Sequence, residues 1–423
     1  MKSNETPVQW PSRRTLLAGA GAALWAPAVL AQAAPRVIVV GGGFGGASCA
    51  RMLAQLGLGV TLVEPEAVYT ACPHSNAVIS GNLDLAAQQF GYAALEQAGV
   101  RVVQSRASRI DASARTIVTA AGASLPYDRL VLAPGIDFRF DAIEGYDEAA
   151  TQIMPHAWKA GAQTLLLRDL LRAMPDGGTF IISAPAGPHR CPPAPYERAS
   201  LVAGYFLQHK PKSKILILDS KESFPHRIDF LAAWQRLYGS MIEWVPLSSS
   251  GKVIAVDASA KILTTDFDSH ACDVANVIPP QKAGAIAEQA GVADRSGWCP
   301  VDASSFESML VPGIHIIIGD AMSAGSIPRS ASAAQAEGRA CAAAIAALFG
   351  QKAPAGGRLA SICYAAVSPH EAFSIQGSYL PLADGFAEVA GSTGPAQTSP
   401  EWRAQQAALA RDWFTQITHD TFG

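Results

Sequence analysis

Apolar residues gather along the chain in short β-branched runs, separated by glycine-rich turns and by stretches of helical spacing. Arg36-Val-Ile-Val-Val40 is the first run. It lacks polar alternation, which predicts a parallel strand buried on both faces. Gly41-Gly42-Gly43-Phe44-Gly45-Gly46-Ala47 follows, and then Ala50, Met52, Leu53 and Leu56 mark one face of a helix. Val60-Thr-Leu-Val63 predicts a second strand that ends at Glu64. Leu130-Val-Leu132, Gly178–Ser183, Lys214-Ile-Leu-Ile-Leu218 and Ile314–Ile318 repeat the theme. Strands that alternate with helices in this way predict an α/β chain built on parallel sheets.

The first turn carries more information than its strand. Read as G-x-G-x-x-G, its glycines are Gly41, Gly43 and Gly46. They supply a tight turn, a close approach of backbone to a diphosphate, and close packing of helix on strand. The helix that follows presents free N–H groups to the phosphates. Glu64, at the end of the second strand, is placed to accept from ribose hydroxyls. Strand, glycines, helix, strand and acid in register predict a dinucleotide site. Ala133-Pro-Gly135, closing a strand, resembles the Ala-x-Gly turn of FAD domains. Gly319-Asp320, after another strand, resembles their late acid, which reaches the ribityl chain and the diphosphate. These two elements favour FAD over NAD. They resemble the two-dinucleotide-domain flavoproteins, which implies tandem Rossmann-type domains of the glutathione-reductase-like kind.

A second such site should open after the strand at Thr179–Ser183. The chain there reads Ala184-Pro-Ala-Gly187-Pro-His-Arg190-Cys191-Pro-Pro193. Prolines remove the backbone N–H donors of which a phosphate cradle consists. A strand ending at Asp219 persists, so the scaffold is expected without its NAD loop.

Composition narrows the surroundings. The chain has 423 residues, 49% hydrophobic and 16% charged, with a net charge of −3, which suits a folded protein of two or three domains. No basic block is present, so nucleic acid is not an expected partner. Ser12-Arg13-Arg14-Thr15-Leu16-Leu17, an Ala/Leu-rich stretch and Ala31-Gln32-Ala33 read as a twin-arginine export signal over residues 1–34. Export by this route predicts a periplasmic protein. No later stretch supplies the ~18 consecutive apolar residues of a membrane span, so no stable membrane insertion is expected. The seven cysteines include no C-x-x-C-H, so the chain carries no c-type haem of its own, and no metal site is expected.

Four motifs point further: Tyr69-Thr-Ala-Cys72-Pro-His-Ser75-Asn76, Cys191-Pro-Pro-Ala-Pro-Tyr-Glu197-Arg198-Ala-Ser200, Ser361-Ile-Cys363-Tyr364 and Trp413…His419-Asp-Thr-Phe-Gly423. Together they resemble the flavoprotein subunit of flavocytochrome c sulfide dehydrogenase and the related Sox-system flavoprotein, over residues 35–423. The resemblance implies that Cys72 bonds covalently to the FAD; Ala71 and Pro73-His74 depart from the family's local pattern. It also implies that Cys191 and Cys363 are a redox-active pair, at which hydrosulfide attacks a disulfide sulfur. Glu197 is either the base that takes the proton of incoming sulfide, a helix N-terminal acid or the partner of Arg198. Trp413 is either a cover for the flavin or a core aromatic. Cys49, Cys272, Cys299 and Cys341 are expected as small buried hydrophobes, and His156 as structural. The chain is expected to form an FAD domain over 35–148 and 276–350, a central Rossmann-like domain over 149–275 and a C-terminal α+β interface domain over 355–423, with the small, Pro/Gly-rich Ala353–Gly357 as linker. The implied activity is periplasmic oxidation of sulfide to sulfane sulfur or polysulfide, with electrons passed to a c-type cytochrome subunit. A sulfide:quinone-type reductase and a Sox auxiliary flavoprotein acting on sulfur-carrier proteins are the alternatives.

Overall fold

The computed structural model describes residues 34–316, 319–323, 325–352, 357–382, 385–393 and 399–423. Apart from Ala34 and Gly357, the export signal and the linker read from the sequence lie outside the described residues. Strand β1 (Arg36–Val40) buries Val37 to Val40 in succession, as an uninterrupted apolar run requires. The chain turns at Gly41, whose φ of +100° suits glycine, and enters helix α1 (Phe44–Gln55). Strand β2 (Gly59–Glu64), the short helix α2 (Ser75–Ile79), β3 (Arg101–Gln104) and β4 (Arg129–Leu132) follow. Central β1 runs parallel to β2, with Val37 beside Val60, and to β4, with Val37 beside Arg129.

A second parallel sheet begins with β5 (Thr179–Ala184), which leads through the proline-rich loop to helix α3 (Ala194–His209). Strands β6 (Lys214–Asp219), β7 (Ile242–Val245) and β8 (Val274–Val277) complete it in the order β7-β6-β5-β8. The chain then returns to the first sheet. Strand β9 (Ile314–Ile316) pairs with β4, which gives the order β9-β4-β1-β2-β3. Helix α4 (Ala331–Leu348) packs on α1 so closely that a Cβ on Gly338 would overlap the carbonyl oxygen of Gly45. Ser330 caps α4, its Oγ accepting from the Ala333 N–H at 3.2 Å.

The C-terminal part is an antiparallel sheet, β10 (Leu359–Ser368), β11 (Glu371–Leu382) and β12 (Gly385–Thr393), covered by helix α5 (Pro400–Phe422). The end of α5 reaches back to the first glycine loop. Phe422 stacks on Tyr69 at 5.2 Å and on Phe90 at 5.3 Å, and the Gly423 carbonyl accepts from Arg51. The two parallel sheets, with smaller antiparallel sheets beside them, are the α/β arrangement that the alternation of strands and helices predicts. Helix α3 begins at Ala194, so Pro195 stands in its first turn. Proline in a first helical turn removes only an N–H that has no intrahelical acceptor.

Candidate functional site

The first glycine loop and α1 form an anion cradle. Gly43 caps α1 without a side chain, no acid occupies the first turn, and the first intrahelical bond is that from the Ala47 N–H to the Gly43 carbonyl, at 2.9 Å. The N–H groups ahead of it face the loop. A Cβ on Gly46 would overlap the Gly41 carbonyl oxygen, and one on Gly41 would overlap that of Ala133. Those glycines therefore serve close packing, while Gly43 leaves its backbone accessible. Glu64 accepts from the Gly42 N–H at 2.7 Å and from the Glu66 N–H at 3.0 Å, at the rim of the same loop. Across the cradle, Gly319 lies against the Glu337 carboxyl: a Cβ there would stand 3.1 Å from Oε2. Both Glu337 carboxyl oxygens are buried without a hydrogen-bond partner. Burial, and then Asp320, hold this acid well above the usual carboxylate range. A free helix N-terminus facing an unpartnered acid fits a dinucleotide, which supplies both an anion and hydrogen-bond acceptors.

Cys72 sits where this cradle meets the second sheet. Its loop is fixed by the buried Gln88, which donates to the carbonyls of Ala71 at 2.7 Å and Pro73 at 2.6 Å. Arg190, from the loop after β5, crosses over and donates from Nη1 to Cys72 Sγ at 3.2 Å. The same guanidinium pairs with Asp320 at 2.7 Å and 2.8 Å and lies against Gly135. Next to it, Cys191 has φ of +49°, with its N–H bonded to the Arg329 carbonyl at 2.9 Å. A side chain in the left-handed region is held there by its surroundings. Cys363, on β10, reaches the same pocket. Burial pushes the Cys191 thiol well up, and Cys363, Glu197 and Cys72 add to this as neighbouring negative groups, against the pull of Arg190. Burial raises Cys363 as well, while the hydroxyls of Ser330 and Ser361 oppose it by favouring its thiolate. All seven cysteines are unbridged in this structure.

Glu197 lies in the first turn of α3 and points across to β10. Its Oε1 accepts from the Ala366 N–H at 3.0 Å, and its Oε2 from Asn76 Nδ2 at 2.7 Å. Burial raises its pKa, against these two bonds and the nearby Arg198. Arg198 does not pair with it directly. It donates to Asn76 at 2.9 Å, to Asn276 at 2.6 Å and to the Ala157 carbonyl at 2.8 Å, above the Trp158 ring. Asn76 therefore relays between a buried cation and a buried acid.

At the end of β6, Asp219 is fully buried and accepts from Tyr196 at 2.5 Å, Trp244 at 2.9 Å and Lys221 at 2.6 Å. Tyr196 stacks on Phe224 at 3.6 Å. The acid that would hold a ribose in a second dinucleotide site is thus engaged by side chains packed against the second sheet. Trp413 is half-buried and packs on Tyr364, next to Cys363, at 5.9 Å between ring centres. His156 is buried, its Nδ1 accepting from the Trp158 N–H at 3.1 Å. Cys49, Cys299 and Cys341 are buried, whereas Cys272 is partly exposed and donates to the Lys261 carbonyl at 3.4 Å. Arg190, Asn76, Gln88 and Glu337 are site residues that the sequence reading did not single out. Arg190 and Asn76 stand inside the quoted motifs. Gln88 and Glu337 carry no local signal.

Residues 164–279 match the family model described as "Sulfide dehydrogenase [flavocytochrome c] flavoprotein chain, central", and 356–422 match "Flavocytochrome c sulphide dehydrogenase, flavin-binding". Residues 35–164 match "Pyridine nucleotide-disulphide oxidoreductase". A sulfide dehydrogenase [flavocytochrome c] flavoprotein chain of Chlorobaculum thiosulfatiphilum is 60% identical over 45 residues, 10% of this chain and 94% of that one. The mitochondrial sulfide:quinone oxidoreductase of Mus musculus is 24% identical over 319 residues, 70% of this chain and 67% of that one. In fold, the chain resembles the sulfide:quinone oxidoreductase of Aquifex aeolicus, with TM-score 0.70, 18% identity and 92% of each chain covered. It also resembles putidaredoxin reductase in its complex with putidaredoxin, with TM-score 0.64, 15% identity, and 89% and 93% covered. A glutathione-reductase-like pair of parallel sheets, the C-terminal sheet and these matches lead to one assignment: the chain belongs to the family of flavocytochrome c sulfide dehydrogenase flavoprotein chains.

Proposed function

We propose that the chain is an FAD enzyme that oxidises hydrosulfide to sulfane sulfur through a Cys191–Cys363 disulfide and passes the electrons to a c-type cytochrome partner. The observation that carries this reading is that Cys191 and Glu197, at the start of α3, lie near Cys363 of β10 and near Cys72 in one half-buried pocket, although the chain brings them from three separate stretches. Glu197 takes the proton of the incoming sulfide. The sulfur then attacks one cysteine of the disulfide, the S–S bond breaks, and a persulfide remains on one residue and a thiolate on the other. The α1 N-terminus and Gly43 would hold the diphosphate of FAD, on the turn that Gly41 and Gly46 allow, and Glu64 would hold its ribose. Ala133, Gly135, Gly319 and Asp320 would line its middle, Cys72 would tether it and Trp413 would stand near its ring. FAD, when bound, takes up electrons in pairs and releases them singly. Export to the periplasm by the twin-arginine signal belongs to this reading, and cell fractionation of the wild type and an Arg13→Lys/Arg14→Lys variant tests it.

Anaerobic titration of the purified protein with sulfide tests the chemistry. Flavin absorbance should bleach at stoichiometric sulfide, and Cys191→Ser and Cys363→Ser should abolish bleaching while leaving bound flavin in place. Bleaching that survives both substitutions removes the disulfide from the reaction. The similarity to the mouse sulfide:quinone oxidoreductase favours a second acceptor, a quinone. Reoxidation of the sulfide-reduced protein by a c-type cytochrome but not by a short-chain quinone supports the first acceptor, and the reverse supports the second.

A further inference from the structure

Cys72 is held by more than its own loop. Gln88 fixes the carbonyls on either side of it, so the sulfur has little freedom to move. The cation that touches that sulfur is not a neighbour in sequence but Arg190, 3.2 Å away on the loop after β5. Arg190 is itself anchored at four points. Its Nε and Nη2 grip one oxygen of Asp320, its Nη1 also reaches the Trp158 carbonyl at 3.4 Å, and its backbone N–H donates to Gln281 at 2.8 Å. A guanidinium fixed in this way presents an N–H to sulfur in one orientation only.

We infer that Arg190 is the positioning residue for the flavin tether, holding the sulfur of Cys72 and stabilising the negative charge it carries when it attacks the flavin's methyl carbon. This rests on the reading of Cys72 as the tethering residue. In the step, a sulfur–carbon bond forms and one C–H bond of the methyl group breaks. That hydrogen, the thiol proton and the electron pair reduce the ring system. Dioxygen then takes the pair and both protons and leaves as hydrogen peroxide, so that thiol, flavin and oxygen give thioether flavin and peroxide. Asp320 keeps the guanidinium in place throughout, which couples the tether to the same turn that faces the cofactor.

The test compares the wild type with Arg190→Gln, Arg190→Lys and Cys72→Ser, each purified with its flavin. Tethered flavin is scored in the acid-precipitated polypeptide and by the mass of the Cys72 peptide during incubation in air. Arg190→Gln should retain flavin non-covalently but tether it about 10- to 100-fold more slowly, the range set by losing one hydrogen bond to a charged group. Arg190→Lys should fall between, free guanidinium ion should partly restore the rate in Arg190→Gln, and Cys72→Ser should never tether. Tethering by Arg190→Gln at the wild-type rate overturns the role of Arg190 and leaves Cys72 standing. Loss of all flavin from Arg190→Gln also overturns it, because Arg190 would then serve binding rather than the tether. A wild type with no tethered flavin overturns the tether itself, and the proposal with it.

Discussion

Glu197 carries the most contrasting demands of any residue in the molecule. Its carboxyl is buried beside two cysteines, yet it keeps one hydrogen bond from the Ala366 N–H and one from Asn76. Burial raises its pKa while these donors and Arg198 oppose the rise, and a carboxylate with a raised pKa is a better proton acceptor. Glu197→Gln should keep the bond from Ala366 but set an amide NH2 against that of Asn76. The expected outcome is retained flavin with sulfide-dependent flavin reduction slowed about 100-fold or more, the usual contribution of a positioned acid–base group, measured by anaerobic stopped flow. In the wild type the rate should climb as pH rises through the elevated pKa of Glu197, and that limb should vanish in the variant. An unchanged rate would leave Glu197 as the first-turn acid of α3. The sequence made Glu197 conspicuous by its place in a motif. It gave no sign of Asn76 as its donor, because that bond joins residues 121 positions apart in the chain.

At the scale of elements, the contact of α1 with α4 decides how well the cradle is held. Helix α4 is rich in alanine, with a single glycine at Gly338, and the structure shows why a small residue stands there. Gly338 meets the carbonyl of Gly45 and lies near the Cys49 N–H, so the two helices approach backbone to backbone. Gly338→Ala should push α4 away and destabilise the protein by about 1–3 kcal/mol, the typical cost of overpacking. Chemical denaturation measures this, and flavin retention should fall in parallel because Gly45 belongs to the first turn of α1. Strand assignments were legible for a related reason. Unbroken apolar runs such as Val37–Val40 suit only a strand buried on both faces. The start of α3 was less legible, since proline is tolerated throughout the first helical turn.

The whole molecule should be sensitive to acid. His156 and His189 are buried, and burial first, with nearby cations second, lowers their pKa values to about 3 and about 4. An unfolded chain protonates histidine at about 6.5, so below that pH it binds protons that the folded protein refuses. Stability is therefore complete above pH 6.5 and is lost as pH falls towards 4, by up to about 1.4 kcal/mol per pH unit for each histidine. Thermal unfolding across that window should show the slope, and His156→Gln, which keeps an acceptor for the Trp158 N–H, should reduce it. An identical slope in the variant would remove His156 as a cause. By itself the sequence determined the α/β class, the first dinucleotide loop and the proline-filled second one, because buried strands, phosphate turns and proline each act through local backbone chemistry. It also determined which cysteines stand in marked motifs. Only the tertiary structure decided that Cys72, Arg190, Cys191, Glu197 and Cys363 share a pocket, that Asp320 holds Arg190 and that Asp219 is engaged by Tyr196, Trp244 and Lys221. These facts depend on how two parallel sheets and a C-terminal sheet come together, and no spacing along one chain encodes distances across three of its folded parts.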